Sequence, residues 1–168
     1  MHPYIHAQTH PDKPAYIMAA SGETVTYRQL DEQSNRIAQL FRSLGLKAGD
    51  HVALFLENNA RFFEICWAAQ RSGLIYTAIS SRLTSAEVDY IVGDCGAKLF
   101  ITSRYLADKA AELAPLLKGA PHRYMIDGTI AGYDSWEAAV ARCPATPIAD
   151  QIAGYDMLYS SGTTGRPK

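Results

Sequence analysis

Gly49-Asp50-His51-Val52-Ala53-Leu54-Phe55-Leu56 turns the chain and then runs almost unbroken through apolar residues. That is the pattern of a strand covered on both faces, and so of a central strand in a parallel sheet. Phe62, Phe63, Ile65, Cys66, Trp67 and Ala69 follow as a very apolar helix that Gly73 ends, and Leu74 to Ile79 reads as the next buried strand. Two strands joined through a helix lie parallel, because only a long crossover returns the chain to the same end of the sheet.

The same alternation extends in both directions. Upstream, Pro3, Pro11 and Pro14 mark an irregular arm that closes on a short strand near Ala15 to Met18, and Ser21-Gly22-Glu23 is a turn. Thr24 to Tyr27 is a second short β-type run. Thr26 and Gln29 have the spacing of a capping box, and the helix they open puts Leu30, Ile37, Leu40, Phe41 and Leu44 on one face before Gly45. Downstream, Thr84-Ser85-Ala86-Glu87 is another capping box, opening a helix through Val88 and Ile91, and Gly96 precedes a strand over Lys98 to Thr102. Ser103 is expected to cap a helix reaching Leu117, Arg123 to Ile126 forms a further strand, and Ser135 to Arg142 a short helix broken by Pro144 and Pro147. The last strand is Asp156 to Tyr159. The whole predicts an α/β fold with a mostly parallel sheet flanked by helices.

Composition narrows the class of partner. Among 168 residues, 48% are hydrophobic and 20% charged, the make-up of a globular domain that needs neither disulfides nor a metal to hold it. Sixteen basic residues against seventeen acidic give a net charge of −1, which argues against nucleic acid or an anionic membrane as partner. Cys66, Cys95 and Cys143 are scattered without a CxxC spacing and leave an odd thiol, as expected of packing residues in a reducing compartment. No basic segment leads into an apolar one at the start, and the chain is expected to be cytoplasmic.

The segment that carries chemistry is Tyr159-Ser160-Ser161-Gly162-Thr163-Thr164-Gly165-Arg166-Pro167-Lys168. Two glycines allow backbone shapes in which successive N–H groups converge on an anion, and four hydroxyls and an ammonium add donors around the same point. Following a strand of an open α/β sheet, such a loop reads as a cradle for a polyphosphate. A Walker loop is rejected by spacing: only Thr163 and Thr164 separate the glycines, and Arg166-Pro167 stand between Gly165 and Lys168.

This ten-residue string resembles the phosphate-binding signature of adenylate-forming enzymes, the superfamily of acyl-CoA synthetases, luciferase and the adenylation domains of peptide synthetases. Thr24 to Leu30, Gly49 to Ala53, Glu57 to Gly73 and Arg82-Leu83-Thr84 resemble that family's N-terminal half in the same order. The resemblance implies that residues 1–168 are the N-terminal portion of an AMP-binding domain, truncated within the signature, with the rest of the large domain and a C-terminal lid domain beyond it. It implies a ligase that activates a fatty or aryl acid with ATP and Mg²⁺ to an acyl adenylate and passes the acyl group to CoA. Ser160, Ser161, Gly162, Thr163, Thr164, Gly165 and Lys168 are then the nucleotide-binding positions, and no catalytic or metal-ligating residue is assigned. The chain alone is expected to be inactive. Amino-acid adenylation for a carrier protein, and a non-catalytic interaction module, are the alternatives. Ile79-Ser80-Ser81-Arg82 departs from the Asn-Pro that many relatives carry before the arginine.

Other residues favour quieter roles. His2, His6, His10, His51 and His122 lack metal-ligand spacing, and Pro11 argues against His6 and His10 sharing a helical face. Phe62, Phe63 and Trp67 are expected in the core rather than in an acyl pocket. Arg82, in a polar loop, is a candidate for CoA or phosphate, with a solvated charge the simpler expectation.

Overall fold

Thr26 opens the longest helix by the reciprocal bonds its sequence predicts: its hydroxyl accepts the Gln29 N–H and the Gln29 side chain accepts the Thr26 N–H. The computed structural model describes residues 2–160. In chain order its elements are α1 (Tyr4–Thr9), β1 (Pro14–Ile17), β2 (Thr24–Thr26), α2 (Tyr27–Ser43), β3 (His51–Leu56), α3 (Arg61–Arg71) and β4 (Ile75–Ser80). Then follow α4 (Ser85–Asp94), β5 (Leu99–Ser103), a 3-10 turn at Arg104–Leu106, α5 (Ala107–Leu113), β6 (His122–Ile126), β7 (Asp134–Ser135), α6 (Trp136–Ala141) and β8 (Tyr155–Asp156).

β1 and β2 form an antiparallel hairpin, and the other six strands form one sheet in the order β7-β6-β5-β3-β4-β8, every neighbouring pair parallel. β3 lies inside it, as its unbroken apolar run predicts, with Val52, Ala53, Leu54 and Phe55 all fully buried. Alternate residues point to opposite faces. Val52, Leu54 and Leu56 join Ile37 and Phe41 of α2, Ile65 of α3 and Trp136 of α6 on one side. Ala53 and Phe55 join Val88 and Ile91 of α4 and Leu113 of α5 on the other. The result is a three-layer sandwich with a core on each side of the sheet. Among the described residues no helix is long and apolar enough to cross a membrane.

Four local expectations are revised. The N-terminal arm contains a helix, α1, which buries none of its residues and lies on α2, the His6 ring 5.0 Å from that of Tyr27. Ser103 makes no cap bond; it ends β5 fully buried, its hydroxyl donating to Glu57, and a 3-10 turn intervenes before a shorter helix. Phe63 is 48% exposed and Trp67 only partly covered, whereas the half-buried Phe62 does pack against the core; α3 turns Ile65, Ala68 and Ala69 inward, and with them Glu64 and Arg71. The last strand is also earlier and shorter than Asp156 to Tyr159. Among the described residues β8 pairs with β4 alone; after Met157 donates to the Tyr76 carbonyl at 2.9 Å, the Tyr159 hydroxyl turns to Asp94 at the end of α4. Gly154 allows the approach to β4, since a Cβ there would overlap the Leu74 carbonyl oxygen.

Candidate functional site

Because the six strands are parallel, their carboxyl ends share one edge. The chain moves from β3 outward to β4 and then returns past β3 to β5, so the connections diverge to opposite faces there and leave a crevice of the kind in which open α/β sheets bind ligands. A cavity of about 930 Å³ occupies it. Its walls are Leu56, Glu57 and Asn58 at the end of β3, Ser80, Ser81 and Arg82 at the end of β4, and Tyr105, Leu106 and Lys109 after β5.

From Glu57 in its wall a polar network runs to the ends of β5 and β6. Ser103 donates to Glu57 Oε2, while Asn59 Nδ2 donates to Glu57 Oε1 at 3.0 Å and to Asp127 Oδ2 at 3.2 Å. Asp127, just past β6, adopts a φ of 61°, a left-handed conformation that a short polar side chain tolerates. Its N–H donates to Glu137 Oε1 at 2.8 Å. The ends of β3, β5 and β6 are thus held together by side chains from their own loops.

Among the described residues two cations, Lys109 and Arg82, line the crevice and differ in their contacts. Lys109 Nζ donates to the carbonyl oxygens of Ser81 and Leu83, both at 2.8 Å, and lies 5.8 Å from the centre of the Phe55 ring. It therefore shapes the loop after β4. Arg82 is exposed in that loop, its N–H donating to Ser80 Oγ at 3.4 Å, and it lines the cavity.

Of the predicted phosphate-loop residues, Ser160 is exposed just after the last strand; Ser161, Gly162, Thr163, Thr164, Gly165 and Lys168 lie outside the described residues. The thiols behave as packing groups: burial pushes Cys66 up to about 12 and raises Cys95 as well. His6 lies in α1 and His10 beyond its end, its N–H closing the helix on the His6 carbonyl at 2.7 Å. Glu57, Asn59 and Asp127 were not singled out as site residues by the sequence. The usable signal was their place directly after apolar runs that read as parallel strands, with β3 at the centre.

The chain belongs to the AMP-binding enzyme family, whose model matches residues 4–168. It is 32% identical over 171 residues to the fatty acid–[acyl-carrier-protein] ligase ScoC of Streptomyces coeruleorubidus, a match covering 97% of this chain and 30% of that protein. It is 30% identical over 168 residues to the long-chain-fatty-acid–CoA ligase FadD13 of Mycobacterium tuberculosis, covering 96% of this chain and 32% of that one. The crystal structure of the anthranilate CoA ligase AuaEII in complex with anthranoyl-AMP superposes with a TM-score of 0.85 at 25% identity, over 98% of this chain and 33% of that chain. The chain thus spans about a third of the length of these proteins.

Proposed function

We propose that the chain is the N-terminal portion of the AMP-binding domain of an acid–thiol ligase that activates a fatty or aryl carboxylic acid with ATP and passes the acyl group to CoA. One observation carries the reading: the Ser160–Lys168 signature lies a few residues after β8 (Tyr155–Asp156) in the sequence, and β8 runs parallel to the strands that frame the crevice. The family match and the fatty-acid and anthranilate ligases among the similar proteins support the substrate class.

In this reading an oxygen of the substrate carboxylate attacks the α-phosphorus of ATP. A new oxygen–phosphorus bond forms as the bond to the bridging oxygen breaks, and pyrophosphate leaves with the electron pair. The thiolate of CoA then attacks the acyl carbon, and AMP departs. Hydroxyls of Ser160, Ser161, Thr163 and Thr164, N–H groups around Gly162 and Gly165, and the Lys168 ammonium hold the β- and γ-phosphates and stabilise the leaving charge. The exposed Arg82, which lines the cavity, is the candidate contact for CoA or a phosphate. Among the described residues no group of three or more His, Cys, Asp or Glu side chains is placed to hold a metal. A carrier-protein thiol is the second reading of the acceptor, favoured by the likeness to ScoC. The three free cysteines suit a reducing, cytoplasmic setting.

Adenylation needs the carboxylate and the α-phosphorus held in line, and that positioning accounts for a large share of the barrier reduction. The chain alone is therefore expected to be silent, its site completed by a further part of the large domain and a C-terminal lid domain. Carboxylate-dependent exchange of labelled pyrophosphate into ATP, run over a panel of fatty and aryl acids, tests both points. A polypeptide extended beyond Lys168 should exchange, and the 168-residue chain should not. No exchange by the extended form with any acid would overturn the adenylation reading; exchange by the isolated chain would overturn the divided site.

A further inference from the structure

Between α3 and the β1–β2 hairpin lies a charged cluster that takes no part in the crevice. Glu64, in the first turn of α3, is 2% exposed, and its Oε1 is 3.2 Å from Arg61 Nη1. The other arm of the same guanidinium, Nη2, pairs with Glu23 in the hairpin turn. Tyr16 of β1 donates its hydroxyl to the Ala60 carbonyl at 2.7 Å, also meets the Glu64 carboxyl, and packs its ring 5.2 Å from that of Phe63. One guanidinium thus serves two carboxylates, one from the helix and one from the hairpin.

We propose that Glu64 is a proton-operated latch: protonated, it leaves Arg61 to Glu23 and keeps the hairpin on α3; ionised, it competes for Arg61, repels Glu23 and loosens the hairpin. A buried carboxylate has lost its hydration, and half of one guanidinium replaces only part of it. Burial has the largest influence on Glu64, Arg61 opposes it, Glu23 reinforces it, and Tyr16 opposes it weakly; the outcome is a carboxyl pushed up to about 7. Burial, with Glu64 beside it, also raises the Tyr16 phenol, which stays a donor. Across an adjoining groove of about 380 Å³ stand Gln33 and Arg36 from α2 and Glu137 from α6. Arg36 donates to the Cys143 carbonyl and Glu137 accepts the Asp127 N–H, so both are engaged elsewhere.

The direction follows from linkage. The docked state holds the Glu64 proton more tightly than a released one with the ordinary value of 4.5. Docking is therefore strongest below that value and weakens as pH rises through 7, and the released fraction grows roughly tenfold between pH 6 and pH 8. Release would uncover a cavity of about 320 Å³ in which Ala15 and Tyr16 of the hairpin face Tyr27, Leu30, Phe63 and Trp67.

Hydrogen exchange of the Met18 amide, which closes the hairpin on the Glu23 carbonyl at 2.8 Å, reads the latch when expressed as a protection factor. Wild type should lose about tenfold protection from pH 6 to pH 8, and Glu64→Gln should keep the pH 6 level throughout. No loss in wild type, or the same loss in the variant, would overturn the latch. A carboxyl carbon-13 titration of Glu64 in wild type needs no variant to fold. A midpoint near 7 that falls in Glu23→Gln supports the proposal, and a midpoint in the ordinary glutamate range refutes it.

Discussion

Glu87 and Glu64 both stand in the first turn of a helix that leaves a parallel strand, on opposite faces of the same sheet, and their surroundings drive them in opposite directions. Glu87 accepts the Thr84 N–H at 2.8 Å and its hydroxyl at 2.7 Å, and these bonds hold its carboxyl below the usual range. The helix it opens, α4, buries Val88, Ile91 and Val92. α3 has Ala60 at its N-cap, with no side-chain cap bond from it; Asn59 Oδ1 accepts the Arg61 N–H at 2.9 Å instead. It buries Glu64 and Arg71, and Arg71 pairs with Asp31 of α2 at 2.5 Å. A helix entrance completed by its own residues leaves the inner face free to be apolar. One that shares its ionic groups with a neighbouring helix and a hairpin is sensitive to whatever changes those neighbours.

The largest effect should come from the α2–α3 pair. Asp31→Ala leaves the Arg71 guanidinium buried without its partner, and urea unfolding at neutral pH should show a loss of about 3–5 kcal/mol; a loss below about 1 kcal/mol would place α3 on the same footing as a helix with only surface pairs. Next comes Glu64. Its raised carboxyl contributes stability that is complete below 4.5 and lost by about 7, a fall of about 3 kcal/mol in the unfolding free energy. Glu64→Gln should remove that fall from the pH profile, and an unchanged profile would contradict its assignment. Thr84→Ala should cost about 1 kcal/mol and let Glu87 return toward its ordinary value, read by carboxyl NMR. Glu87 has the opposite sign to Glu64: its depressed carboxyl stabilises above 4.5, and the contribution disappears as pH falls through the folded value.

What could be read in advance was what neighbouring residues determine. The apolar run of Val52 to Leu56 identified the inner strand, and Thr26 with Gln29 and Thr84 with Glu87 marked two helix entrances that the structure reproduces bond for bond. Long-range partners decided the rest. Ser103 has the local look of a cap, but its hydroxyl goes to Glu57, 46 residues away. The aromatic residues of α3 have a core-like composition, yet Phe63 faces outward because an ionic face took the inner position. The short α1 has no apolar period to announce it and rests on contacts with α2. Around the crevice, the exposure of Arg82 was recognisable from its polar loop, whereas Glu57, Asn59 and Asp127 meet only after β3, β5 and β6 are aligned.

The proposed function rests on the Ser160–Lys168 signature binding the leaving pyrophosphate. Lys168→Ala and Thr164→Ala, each made in a polypeptide extended beyond Lys168, remove one charged and one neutral donor from it. Carboxylate-dependent pyrophosphate exchange should fall by roughly ten- to a hundredfold in each variant, the equivalent of about 1.5–3 kcal/mol of lost stabilisation. Exchange at the wild-type rate in both variants would contradict the account.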